Sequence, residues 1–174
     1  MNPSCLRHTS IPGTSRLFGD FLYNFDRVAD FYDWNPFDRK AFESAAAAIQ
    51  FPKSRRAALV DALARQNPDS PSLKLLAEPS TVAVVTGQQV GLFTGPAYTI
   101  FKAITTARLA KLLSESGIPA VPIFWLATED HDLAEVDHAW VYSKGGDPVK
   151  LQSIVEPTQG PVGNARSSDR CRTA

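Results

Sequence analysis

The sequence predicts an α/β fold, with the start of a parallel sheet behind a helical N-terminal lobe. Three observations carry that prediction. Residues 81–86, Thr-Val-Ala-Val-Val-Thr, are β-branched and apolar, as in a strand covered on both faces. A glycine-bearing segment comes next and opens a helix-forming stretch from Ala97 to Ser116. A second apolar run, Ala120–Ala127, comes after Gly117 and Pro119, which stop the helix. Strand, loop, helix and strand make a βαβ unit, in which a right-handed crossover is expected.

The elements before that unit read as helices. Residues 1–16 are an irregular lead-in, with a turn at Pro12-Gly13 and Ser15 placed to cap the first helix. From Leu17 to Phe31 the residues Phe18, Phe21, Leu22, Phe25 and Val28 recur at helical spacing and predict one helix docked on something large. Asp38 precedes a helix to Gln50 with Phe42, Ala45, Ala46 and Ile49 inward. Ser54 is placed to cap a third helix to about Arg65, and a short helix fits Leu73–Ala77. Ile100, Ala103, Ile104, Ala107 and Ala110 form the expected buried stripe of the helix after the glycine loop. His138–Ser143 and Val149–Ile154 read as two more strands joined by the turn Lys144-Gly-Gly-Asp147. The division expected is a helical lobe over 1–78, a sheet domain over 79–163 and a disordered or out-of-frame tail over 164–174. So few strands make a poor finished sheet, so the domain is expected to be incomplete or completed by another chain.

Composition narrows the function classes. The chain has 174 residues, 44% hydrophobic and 21% charged, as in a globular protein with a packed core. Eighteen basic and eighteen acidic side chains cancel, so no global field favours nucleic acid or an anionic membrane. The N-terminus has no signal-like apolar core, and the run from Ile118 to Ala127 is too short to span a bilayer. Cys5 and Cys171 lack metal-ligand spacing; a reducing compartment is the simpler reading, with a terminal disulfide as the alternative. A cytoplasmic protein is expected.

Two polar blocks carry the chemistry. Gly87, Gly91 and Gly95 recur every four residues, a spacing that is neither the dinucleotide fingerprint nor the P-loop. Glycines still let backbone N–H groups approach a ligand, and a helix starting near Pro96 aims free N–H groups at it. Gln88, Gln89, Thr94 and Tyr98 add neutral polar groups, and Lys102 lies one turn further on. An anion site and a tight structural loop both fit this pattern. The second block, Glu129-Asp-His-Asp132, crowds three carboxylates around the imidazole of His131 directly after a strand, where α/β sites form. Three roles fit: a general base or ammonium site, a solvated helix cap by Thr128 or Asp130, and a metal site. The helical zinc pattern H-E-x-x-H is absent, and no metal is assigned.

The run Val85-Thr-Gly-Gln-Gln-Val-Gly-Leu-Phe-Thr-Gly-Pro-Ala-Tyr-Thr-Ile-Phe-Lys102, with Pro122-Ile-Phe-Trp-Leu-Ala-Thr-Glu-Asp-His-Asp-Leu-Ala-Glu-Val136 and Ile11-Pro-Gly-Thr-Ser-Arg-Leu-Phe18, resembles the cysteine-adding enzymes of bacillithiol biosynthesis. The likeness runs from about residue 10 to Gly163 and fades from Asn164. It implies a Rossmann-like core of the nucleotidylyltransferase type. It also implies a ligase that joins L-cysteine to the amino group of glucosaminyl malate, with ATP or another nucleotide activating the carboxylate. Family members are longer and dimerise through a C-terminal coiled coil, so this chain is expected to be an N-terminal fragment, or the product of a reading frame lost late, without activity alone. The alternative is a non-catalytic anion- or sugar-binding module or an unstable remnant of the ligase. By the same resemblance Thr94, Gly95, Pro96, Tyr98 and Lys102 stand at the phosphate-binding loop and helix start of related nucleotidylyltransferases. With Gly87, Gln88, Gln89 and Gly91, read from the loop itself, they are the expected substrate- or nucleotide-binding residues. Glu129, Asp130, His131 and Asp132 would form the catalytic block.

Overall fold

The computed structural model describes residues 5–130, 132–155, 160–165 and 167–173, with the backbone alone for 154–155 and 167–173. The chain forms two compact units, residues 1–50 and 51–174. The boundary falls earlier than the composition shift at Pro79. The helices between Phe51 and Glu78 therefore group with the sheet rather than with the first lobe.

In the first unit, α1 spans Arg16–Tyr23, and the Ser15 hydroxyl accepts from the Phe18 amide at 3.1 Å as expected. The helix does not run on to Phe31. Asn24 ends it, its amide bonding back to Asp20 and its side chain to the Asp20 carboxylate at 3.2 Å. Two 3-10 turns, Phe25–Arg27 and Ala29–Phe31, carry the rest of the apolar pattern. The aromatic stripe is satisfied locally: Phe21 and Phe25 pack against Phe37 at centroid distances of 5.4 and 5.8 Å, and Tyr32 joins them. The helix α2, Arg39–Ala48, begins at the expected cap, with Asp38 Oδ1 accepting from the Lys40 amide at 3.0 Å. Phe42, Ala45 and Ala46 are half-buried, whereas Ile49 is exposed just past the helix end.

The second unit opens with α3, Lys53–Gln66, and α4, Pro71–Ala77. Ser54 sits inside α3 and caps nothing; Pro52 takes the cap position. The strand β1 spans Val82–Gln89 and β2 spans Ala120–Ala127, paired parallel from Val82↔Ala120 to Gln89↔Ala127. Between them lies α5, Tyr98–Glu115, which packs on both strands, while α4 packs on β2. This is a Rossmann-like βαβ arrangement.

Two packing expectations fail. The helix α5 buries Thr106, Ala110 and Leu113, so of the stripe read from the sequence only Ala110 is buried, while Ile100, Ala103, Ile104 and Ala107 are exposed, Ile104 by 57%. The apolar residues of α5 nearly encircle it, so periodicity alone could not choose the face that meets the sheet. Likewise β1 is covered on one side only, and Val85 is exposed. The core of the unit is small and lies where α4 and α5 meet the strand starts, at Leu76, Thr81, Ala110, Leu113, Ala120 and Val121.

A second sheet lies further along the chain. A short helix, α6, spans Leu133–Val136, and β3, His138–Tyr142, pairs antiparallel with β4, Pro148–Val155. Gly146 supplies the turn between them at φ 88°. The stretch expected to be a disordered tail contains β5, Ser167–Thr173, antiparallel to β4. A polar segment needs no apolar face to add an edge strand, because the main-chain hydrogen bonds suffice.

One side chain ties the helices to the sheet. Arg56 on α3 is buried, and its guanidinium donates to the carbonyls of Leu76 at 2.8 Å, Thr81 at 3.0 Å and Pro79 at 3.4 Å. Those carbonyls lie at the end of α4 and the entry to β1, where no helical or ladder partner serves them. Arg56→Ala should lower stability by about 3 kcal/mol, as expected for charge-assisted bonds whose acceptors are left dry. Urea unfolding measures it, and Arg56→Lys should recover only part, since one ammonium cannot reproduce the planar fork.

Candidate functional site

The expected glycine loop divides into two parts. Gly87, Gln88 and Gln89 extend β1 opposite Trp125, Leu126 and Ala127, so the loop proper begins at Val90. It runs through a 3-10 turn, Leu92–Thr94, to Gly95. Phe93, Thr94 and Gly95 all have positive φ, 51°, 75° and 73°. For a β-branched residue such as Thr94 that conformation is strained and persists only where the surroundings enforce it. The loop crosses itself closely: a Cβ on Gly91 would stand 2.8 Å from Gly95 Cα. Glycine at 91 is therefore a steric requirement.

Lys102 does not reach out toward a ligand. Its ammonium donates to the Gly87 carbonyl at 3.2 Å and to Gln88 Oε1 at 2.8 Å, and lies 5.1 Å from the Tyr98 ring centroid. Gln88 Nε2 in turn donates to Gln89 Oε1 at 2.7 Å, and Gln89 Nε2 to Glu135 Oε2 at 3.2 Å. A cation and a carboxylate thus end a chain of two amides, which holds both glutamines in fixed orientations.

These residues border a cavity of about 810 Å³ at the carboxyl end of β1. Gln88, Gln89, Gly91, Gly95, Pro96 and Tyr98 line one side. Glu135, His138, Trp140 and Tyr142 line the other, with Trp140 63% and Tyr142 82% exposed. Among the described residues, the amides of Ala97 and Tyr98 in the first turn of α5 have no backbone partner, as at any helix start. Of the expected binding residues, Gly87, Thr94 and Lys102 do not line the cavity.

The second polar block serves mostly as a turn. Asp130 Oδ1 accepts from the Asp132 amide at 3.2 Å, and Asp132 Oδ1 caps α6 through the Glu135 amide at 3.3 Å. Glu129 accepts from Trp125 Nε1 at 3.1 Å and lines a different cavity, of about 560 Å³, beside α3, α4 and β2. His131 lies outside the described residues. The segment 160–165 closes over this turn: Gly163 donates to the Thr128 carbonyl at 2.9 Å, and a Cβ there would meet Thr128 Cβ at 2.9 Å. Among the described residues no group of three or more His, Cys, Asp or Glu is arranged to hold a metal ion. No helix among them is long and apolar enough to cross a membrane, and Cys5 is a free, exposed thiol.

Sequence reading missed the pair beside this block. Asp137 Oδ1 lies 3.0 Å from His138 Nδ1, and Asp137 Oδ2 accepts from Gln152 Nε2 at 2.7 Å. The sequence signal is an Asp-His step at a strand start, which by itself says only strand. Burial, the largest single influence, pushes the Asp137 carboxyl upward. The bonds from Gln152 and His138 and the charges of His138 and Lys150 outweigh it, so Asp137 sits below its ordinary 3.8.

The family model for the bacillithiol biosynthesis BshC N-terminal Rossmann-like domain matches residues 1–173. The chain belongs to that family. The match covers β5 as well as the earlier elements, so it runs past Gly163. A relative from Solibacter usitatus, named "Putative cysteine ligase BshC", is 55% identical over 94% of this chain and 31% of its own length. Relatives of the same name from Salinibacter ruber and Symbiobacterium thermophilum are 40% and 41% identical over 88% and 80% of the chain. The chain spans about 30% of the length of the curated relatives it matches.

Two outcomes are expected at this BshC-family site. Gly91→Ala should cost about 1–3 kcal/mol, since the obstructing atom is backbone, and should show in the urea midpoint and in the loop amide shifts. Asp137 has a depressed folded-state pKa, so its stabilisation is complete above 3.8 and disappears as pH falls through the folded value. Urea midpoints tracked from about pH 6 to about pH 2 should therefore fall more steeply in the parent than in Asp137→Asn, which should already be weaker at neutral pH.

Proposed function

We propose that this chain supplies a nucleotide- and amine-binding part of a ligase joining L-cysteine to the amino group of glucosaminyl malate, in the last step of bacillithiol synthesis. The observation that carries the reading is the cavity between the glycine loop and β3, in a chain of the BshC family. Making an amide from a carboxylate requires a better leaving group, which a nucleoside triphosphate supplies as an acyl phosphate or adenylate. The close crossing of Gly91 and Gly95 bares main chain to a ligand, and the first turn of α5 presents the Ala97 and Tyr98 amides to an anion. Glu135 and His138 give the opposite side the polarity an amine needs. We place the reaction in the cytoplasm, and the pairing of longer family members in a C-terminal coiled coil.

The engagement of Lys102 favours a second reading. With that ammonium held by Gly87 and Gln88, the anion would meet helix amides without a matching cation, as in a module that binds an anion or sugar without turnover. Calorimetry with ATP and with glucosaminyl malate, paired with mass spectrometry of a mixture containing L-cysteine, separates the two. Binding of both ligands, weakened at least tenfold by Gly91→Ala, supports the ligase part. Binding that never yields the cysteinyl product in the full-length parent supports the module. Absence of binding by either ligand removes both readings.

A further inference from the structure

We infer that His138, oriented by Asp137 and Gln152, accepts the proton of the attacking amine in this cavity. The assignment rests on the ligase reading above and names the residue that reading needs at the amine.

The geometry fixes the tautomer. An ionised carboxylate only accepts hydrogen bonds, so with Asp137 Oδ1 at 3.0 Å the His138 Nδ1 must carry the hydrogen. In the neutral ring the lone pair then sits on Nε2, which has no hydrogen-bond partner among the described residues. His138 is one of the residues lining the cavity, together with Gly91 and Gly95 of the loop and Tyr98 at the start of α5.

The support is built from three elements. Asp137 comes directly after α6, and its amide bonds to the Leu133 carbonyl at 3.0 Å. The Asp137 carbonyl accepts from the Ser153 amide of β4 at 2.8 Å. Gln152, which clamps the second carboxylate oxygen, is the direct cross-strand neighbour of His138. Side-chain exposures of 24% for His138 and 15% for Asp137 place the pair at the cavity edge, dry enough to stay ordered and open enough to meet substrate. A hairpin stitch alone would need Asp137 and Gln152, but not an imidazole whose second nitrogen is left bare beside a cavity. Glu135, on the same side, gives an arriving ammonium a counter-charge while it holds Gln89. The charged or titratable groups around the cavity are Asp137, Glu135, Lys150 acting through Asp137, Tyr142 on the same strand as His138 and Tyr98 on the opposite side.

The step balances with the activated acyl group described above. The amine lone pair forms the C–N bond at the acyl carbon. The C–O bond to the phosphate leaving group breaks and takes its electron pair. The amine proton passes to His138 Nε2, and Asp137 stabilises the imidazolium that results.

Imidazole nitrogen spectra of the ¹⁵N-histidine-labelled chain test this directly, because it has three histidines. His138 should appear as the Nδ1–H tautomer, and Asp137→Asn should abolish that preference. Glucosaminyl malate should shift the His138 Nε2 resonance, whereas its N-acetyl derivative, with no basic amine, should leave it unmoved. His138→Gln should weaken glucosaminyl malate binding several-fold and the N-acetyl derivative hardly at all. Perturbed Gly91 and Tyr98 amides with a silent His138 would overturn this assignment while leaving the ligase reading intact. No perturbation of any cavity residue would overturn both.

Discussion

The sharp passage of the chain from β1 into α5 governs the rest of the second unit. Gly91 and Gly95 meet at a distance no side chain would allow, and three successive residues, Phe93 to Gly95, take left-handed angles to make the turn. That turn sets where α5 begins and, with it, which helical residues reach the sheet. Lys102 then fastens the first turns of α5 to the end of β1 through Gly87 and Gln88. The strain at Phe93 and Thr94 is held by this fastening and by the parallel pairing of β1 with β2. One side of the cavity is a by-product of the same constraint.

The polar groups of the cavity are arranged by hydrogen bonds rather than by opposed formal charges. From Lys102 the chain passes through Gln88 and Gln89 to Glu135, linking α5, β1 and α6. Asp137, at the end of α6, performs the corresponding service for β3 and β4, since it binds His138 at the start of β3 and Gln152 on β4. Two networks of this kind, one crossing from β1 to α6 and one joining β3 to β4, give a rigid frame to a site whose aromatic members, Trp140 and Tyr142, stay largely open.

Much of the fold was legible because its signals were local. The strand at Ala120–Ala127, the caps Ser15 and Asp38, and the turn before β4 rest on residue types whose preferences need no distant partner. The burial of α5 was not legible, because apolar residues occupy several of its faces and only the geometry of the loop selects one. The strand at Ser167–Thr173 escaped notice for a related reason: its backbone pairs with β4, and its sequence has no alternation of apolar and polar residues. At the site, the glycine segment and its neighbouring glutamines were visible as a pattern. The roles of Lys102 and Glu129 were not, because each depends on a partner that only the folded chain brings near. The Asp137–His138–Gln152 group was hidden by the hairpin register, which no motif encodes.

The outward face of α5 bears on how the chain behaves in bulk. Ile100, Phe101 and Ile104 form an oily strip on a molecule whose formal charges sum to zero near neutral pH. Copies that meet along that strip encounter no net electrostatic repulsion, and added salt has little long-range repulsion to screen. Colloidal stability should then be poorest close to neutrality and improve as the buffer is moved either way, until acid begins to loosen the antiparallel sheet.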